Sequence, residues 1–176
     1  MTAREKSSLT GVLKAERSDL GHIIDVDKLA VQHGGFIEGG KMAVKLQKQY
    51  IESGISFTQE TTLSGQRPLR MIREAKEAGY YVRLFYVGIS TAEEALHRIK
   101  NRVEKGGHDI PRDDVLRRFS ERYEALASVL DYVDEAVFYD NENGFTVVAE
   151  YRNGELLARG QYVPKWICTL RKHLRK

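Results

Sequence analysis

Apolar positions along this chain switch between two periods. Leu9, Val12 and Leu13 recur at helical spacing and predict a helix over 8–16. A short apolar run over 22–24 reads as a strand leading into Asp25-Val26-Asp27. Residues 41–52 are predicted helical, with Met42, Leu46 and Gln49-Tyr50 on one side and Gly54 as the stop. Residues 55–59 alternate in the strand period. A helix over 66–78 closes at Gly79, and 80–87 is the strongest strand in the chain. Thr91 with Glu94 three residues on forms a capping box for a helix through Glu104. Pro111 sits at the start of another helix running to about Leu130, and 135–139 is again a strand. Two further strands, 145–151 and 155–160, flank Asn153-Gly154, a strong hairpin signal, and a last helix begins near Pro164.

Strands alternating with helices require crossover connections. The expected class is therefore α/β: a parallel sheet with helices on both faces, followed by a C-terminal antiparallel hairpin and helix. Three prolines, no low-complexity stretch and no internal repeat in 176 residues predict a single domain spanning 1–176. Within it, 91–130 forms a helical hairpin and 135–176 the C-terminal strands and helix.

Composition narrows the function classes. A hydrophobic fraction of 41% with 30% charged residues is that of a soluble globular protein. The apolar run at 80–87 is broken by Arg83 and is far too short for a membrane span. The opening Met-Thr-Ala-Arg-Glu-Lys has no apolar stretch behind it, unlike a secretory signal. A single cysteine, Cys168, excludes an internal disulfide framework and a cysteine-based zinc site, so a cytoplasmic location is expected. The net charge of +3 matters less than its placement, with basic residues concentrated between Arg98 and Arg122 and at the C-terminus. The tail cations, Arg171, Lys172, Arg175 and Lys176, suit a helix C-terminus. In the central cluster acids interrupt the arginines, as Asp113 and Asp114 do between Arg112 and Arg117. A nucleic-acid groove favours a stripe of one sign with aromatics free to stack, so no nucleic-acid partner is expected.

In an open parallel sheet, chemistry belongs at the carboxyl ends of the strands. The first predicted strand exits into Asp25-Val26-Asp27, the second into Glu60-Thr61-Thr62, the third into Gly88-Ile89-Ser90-Thr91. Each residue alone has an ordinary structural role, such as an Asp or Thr capping a helix. Their joint placement at one edge is what suggests a site. Near the start, Lys6-Ser7-Ser8 before a helix is how a phosphate loop ends, with lysine on the β/γ oxygens and the hydroxyl on Mg²⁺. Further on, Arg98 and Arg102 share a helix face, Gly106-Gly107-His108 follows, and Arg117, Arg118 and Arg122 line the next helix. Hinge glycines between arginine-bearing helices suit a lid that covers a phosphate. The same pattern also suits a solvated hairpin in which Glu93, Glu94, Glu104, Asp113, Asp114 and Glu121 pair with the arginines.

The run Phe57 to Gly65, the Ala78-Gly79-Tyr80 segment and Arg102-Val103-x-x-Gly106-Gly107-His108-Asp109-Ile110-Pro111, with Arg117-Arg118 after it, resemble the zeta-toxin-like P-loop kinases. The likeness extends from about Lys6 to Asp140-Asn141. It implies a P-loop NTPase-like fold and phosphorylation of a hydroxyl using ATP and Mg²⁺. The family precedent for the acceptor is a nucleotide sugar, UDP-N-acetylglucosamine, and an antitoxin protein is the implied partner. Carried onto this chain, Asp27 matches the base that activates the acceptor hydroxyl, and Glu60 and Thr62 match substrate positions. Arg102 and His108 match the catalytic lid, with Arg117 and Arg118 beside the nucleotide. Lys6 and Ser7 match the end of the phosphate loop, Ser7 holding the metal. Asp27, Glu60, Arg102 and His108 are expected to line one cleft.

The opening departs from the family. Glu5 stands where the loop's second glycine belongs, and the leading strand is not in the sequence. Without glycine the backbone cannot approach the phosphates closely, and the Glu5 carboxylate repels them. ATP and Mg²⁺ binding by the chain as it stands is therefore expected to be weak or absent. A second expectation from another class follows: a non-catalytic module that keeps the fold to bind a protein or nucleic acid.

Overall fold

A computed structural model describes residues 9–104, 109–142 and 144–174. In order they form α1 (Leu9–Glu16), β1 (His22–Ile24), α2 (Val26–Gln32), α3 (Phe36–Ser53), β2 (Phe57–Gln59) and α4 (Arg67–Glu77). There follow β3 (Arg83–Val87), α5 (Ala92–Glu104), α6 (Arg112–Leu130), β4 (Glu135–Asp140), β5 (Thr146–Arg152), β6 (Glu155–Ala158) and α7 (Lys165–Leu174). These elements fall into two compact units. One takes the chain up to Thr62 together with Arg73–Tyr80; the other takes Leu63–Ile72 and everything from Tyr81 onward.

In the first unit, β1 and β2 pair in parallel, His22 against Phe57 and Ile24 against Gln59. Leaving β1, Asp25 caps α2, its Oδ1 accepting the Lys28 backbone N–H at 3.0 Å. Helix α3 turns back onto α2, and the contact is close because of Gly39. A Cβ there would overlap the backbone of Ala30, so only glycine lets the helices meet. The buried stripe of α3 is Gly39, Ala43 and Gln47, four residues apart on one face. Gly54 ends α3 in the left-handed conformation, φ 66°. The Tyr80 hydroxyl donates to the carbonyls of Tyr50 (2.6 Å) and Ile55 (3.1 Å), and Phe57 packs beside both tyrosine rings.

In the second unit, the sheet order is β3-β4-β5-β6. The β3–β4 pair is parallel, Arg83 against Glu135 through Val87 against Tyr139, while β4–β5 and β5–β6 are antiparallel. Asn153 (φ 54°) and Gly154 (φ 80°) take the positive φ values that a tight two-residue hairpin needs. Strand β4 buries every second residue, Ala136, Phe138 and Asp140. Against them pack Leu126, Val129 and Leu130 of α6, Val148 and Ala149 of β5, and Trp166, Ile167 and Leu170 of α7.

The α/β class and the C-terminal hairpin and helix are as expected. The parallel sheet differs in detail: among the described residues it is divided, with β1–β2 in one sheet and β3 to β6 in another. Strands β2 and β3, consecutive and joined through α4, do not pair, so β3 ends its sheet with one edge unpaired among the described residues. Helix α2 was not foreseen because seven residues are too few for a clear period. Helix α3 begins five residues earlier than expected, since Phe36 and Ile37 are exposed and do not join its buried stripe. Among the described residues, no helix is long and apolar enough to cross a membrane.

Candidate active site

The exits of β1 and β2 share one end of the first unit's sheet. Because Ile24 pairs in parallel with Gln59, Asp25 and Glu60 leave adjacent strands at the same, carboxyl, end. The two aspartates after β1 are divided between roles. Asp25 is half-buried and occupied by the helix cap, with Lys28 Nζ 3.9 Å from its Oδ2. Asp27, in the first turn of α2, is exposed and points its charge into solvent. Glu60, Thr61 and Thr62 are likewise exposed immediately after β2. Behind this edge, Gln47 of α3, only 6% exposed, hydrogen-bonds through its side-chain amide to Gln59 Oε1. The pair ties α3 to the last residue of β2, directly before Glu60. Its sequence signal was the helical spacing of Gln47 from Gly39 and Ala43, a polar residue on an otherwise small and apolar stripe.

In the second unit the arginines part ways. Arg98 of α5 is held by Glu94 and donates to the Asn141 carbonyl at 3.3 Å. Arg102, one turn on, is exposed. Arg117 of α6 is clamped between Asp114 (3.0 Å) and Glu121 (3.1 Å). Its hydrogen bond to Asp114, and then the charge of Glu121, raise the pKa of its guanidinium. Arg122 stacks on Phe119 (3.4 Å) and Tyr123 (4.1 Å) and donates to the Phe119 carbonyl and the Tyr123 hydroxyl. So the acid–arginine pairing expected of a solvated hairpin forms at Arg98 and Arg117, and Arg122 serves its own helix. Arg118 differs: its Nε is buried and has no hydrogen-bond partner among the described residues. A buried donor left unmade is costly, and a phosphate oxygen is one group that satisfies it.

The third strand exit is structural. Thr91 Oγ1 accepts the Glu94 N–H at 3.1 Å, and Glu94 Oε2 accepts the Ser90 N–H at 3.2 Å, a capping box displaced by one residue. At the end of β4, Asp140 is 6% exposed and accepts from Trp166 Nε1–H (3.2 Å) and the Glu142 N–H (3.2 Å). Lys6, Ser7 and His108 lie outside the described residues. The remaining expected positions are thus Asp27, Glu60 and Thr62 in one unit and Arg102, Arg117 and Arg118 in the other.

Comparison with known proteins gives this arrangement a context. A sequence model of the family described as zeta toxin matches residues 35–155. That span holds Glu60, Thr62, Arg102, His108, Arg117 and Arg118, while Lys6, Ser7 and Asp27 precede it. An uncharacterised protein of Haemophilus influenzae is 40% identical over 103 residues, covering 55% of this chain and 74% of that protein. No solved structure matches. The α/β architecture, with its parallel strand pairs joined through helices, is consistent with a P-loop NTPase-like fold. With the family model covering most of its length, the chain belongs to the zeta toxin family.

Proposed function

We propose that this chain carries the acceptor side and the lid of a phosphotransferase that moves a phosphoryl group from ATP to a hydroxyl of a nucleotide sugar. Its family supports nucleotide- and Mg²⁺-dependent, kinase-like chemistry in general. The observation that supports the reading is the parallel register of β1 and β2, whose exits, leading to Asp27 and to Glu60, lie at the carboxyl end of the pair. Asp25 is consumed by the helix cap, so Asp27 is the aspartate there with a side chain left to act. In this reading Asp27 accepts the proton of the acceptor hydroxyl. Glu60 and Thr62 hold the acceptor through hydrogen bonds to its polar groups. The 91–130 hairpin acts as the lid, with Arg102, His108 and Arg118 balancing charge on the transferring group, while Arg117 is held by Asp114 and Glu121.

The fit of the nucleotide divides along the chain. Arg118, whose buried Nε has no partner among the described residues, suits a phosphate oxygen. Glu5, in place of a glycine, does not suit the close backbone approach of a phosphate loop, although Lys6 and Ser7 keep the types that meet the phosphates and Mg²⁺. ATP supplies the phosphoryl group when bound. The chain as it stands binds Mg-ATP weakly in this account. A second reading, a non-catalytic binding protein on the same fold, is favoured specifically by Glu5.

Calorimetric titration of UDP-N-acetylglucosamine into the chain tests the acceptor edge. Saturable binding that Glu60→Gln weakens about tenfold, or about 1.4 kcal/mol, is expected. No binding, or binding indifferent to Glu60→Gln, contradicts the assignment.

A further inference from the structure

The α2–α3 hairpin carries a surface that the acceptor edge does not use. Ile37 and Val44 of α3 are 77% and 38% exposed. On α3, Ile37, Lys41, Val44 and Lys48 follow one another at spacings of four, three and four residues, so they form a single outward stripe, with Lys45 beside it. The opposite stripe, Gly39, Ala43 and Gln47, is the buried one. Branched apolar side chains this exposed and this close in sequence mark an interaction surface rather than scattered surface residues.

Charge selects the occupant. From Ile37 through Lys48 the helix carries three lysines against a single glutamate, Glu38. Lys41 pairs with Glu38 at 2.7 Å, with both side chains more than half exposed. Such surface pairs are weak and exchange readily for a partner's carboxylate. Lys48 lies 3.9 Å from Glu52, and Lys45 has no ion pair among the described residues. Lys45 also helps to wall a shallow recess of about 220 Å³, together with His33, Glu38, Lys41 and Met42. We propose that this face of α3 docks an acidic, amphipathic helix of a partner protein. The helix covers Ile37 and Val44 with apolar side chains and sets carboxylates against Lys41, Lys45 and Lys48. A second copy of this chain would bring lysine against lysine, which is repulsive. The apolar centre of the stripe gives a nucleic acid nothing to pair with. A recess walled by Met42 and His33 accepts a protruding side chain, which a bilayer surface does not offer. This inference is independent of the catalytic reading, since none of its residues belongs to the acceptor edge.

The test is fluorescence anisotropy of the full chain with a labelled helical peptide bearing leucines on one face and glutamates along both flanks. A peptide with every glutamate replaced by lysine, and vesicles of phosphatidylcholine with phosphatidylserine, complete the set. The acidic peptide is expected to bind and to weaken with salt. Its affinity should fall about tenfold in Lys41→Glu/Lys45→Glu and in Val44→Ser, and stay unchanged in Lys14→Glu on α1. Circular dichroism confirms that each variant is folded, and Lys45→Arg should bind as the parent does. Equal binding of both peptides, no peptide binding, loss of affinity in Lys14→Glu, or association with vesicles alone overturns the proposal.

Discussion

The indole N–H of Trp166 donates to the Asp140 carboxylate at 3.2 Å, and both residues are buried. One bond thereby fastens α7 to the last residue of β4. The same indole lies against Gly88, just past β3, where a Cβ would overlap its six-membered ring. Trp166 thus packs at the ends of two neighbouring parallel strands at once. Trp166→Phe removes a donor from a buried carboxylate and should cost about 1–3 kcal/mol. Gly88→Ala forces the ring to move and should cost a similar amount, roughly 1–3 kcal/mol. The two are coupled: in a Trp166→Leu background the alanine at position 88 should be nearly free. Thermal denaturation of the four members of this cycle measures the coupling, and strict additivity would show that the ring and the glycine do not constrain each other.

Asp25 and Asp27, two residues apart, should separate cleanly. Asp25 accepts the Lys28 N–H and caps α2, so Asp25→Ala should lower stability by about 1 kcal/mol. Asp27 is exposed, and Asp27→Asn should leave the unfolding midpoint in urea within experimental error of the parent. A reversed result would exchange the structural and chemical roles given to the two carboxylates.

Tyr86 of β3 packs between Phe138 and Trp166, with ring centroids 6.0 Å from each. Burial pushes its phenol up from 10.0 to about 12, with Arg122 opposing the shift. The folded state therefore holds this proton more tightly than the unfolded chain does. The resulting stabilisation is fully present below pH 10 and is lost as pH rises toward 12. Ultraviolet titration at the tyrosinate band, with Tyr86→Phe subtracted, should place this phenol's transition clearly above that of free tyrosine. A transition near 10 would mean that water reaches the ring.

Much of this fold was legible because its elements carry strong local signals. Gly54, Gly79, Pro111 and Asn153-Gly154 each punctuate a boundary by backbone geometry alone, and all four stand at element ends. The strand 22–24 and the hairpin likewise needed no tertiary information. Strand pairing across a helical crossover did: nothing local in 57–59 or 83–87 records that they fail to pair. The strand exits on which the proposed acceptor edge rests were legible, but the difference between Asp25 and Asp27 depends on a cap hydrogen bond. Arginine pairing is equally invisible in one dimension. Arg117 and Arg118 are neighbours in sequence, yet one is held between two acids and the other keeps a buried donor with no partner among the described residues. The Trp166–Asp140 bond spans 26 residues and joins two elements whose sequences give no hint of each other.

The central claim is that Asp27 serves as the base for phosphoryl transfer from ATP to a nucleotide-sugar hydroxyl. Its most direct test joins a leading β-strand and a Gly-x-x-x-x-Gly-Lys-Ser loop ahead of Ser8 and follows γ-labelled phosphate from Mg-ATP into UDP-N-acetylglucosamine. The account predicts transfer by this protein, and a loss of about 100-fold or more in Asp27→Asn with Mg-ATP affinity unchanged. Transfer that proceeds at the parent rate in Asp27→Asn, or nucleotide binding with no transfer at all, would contradict it.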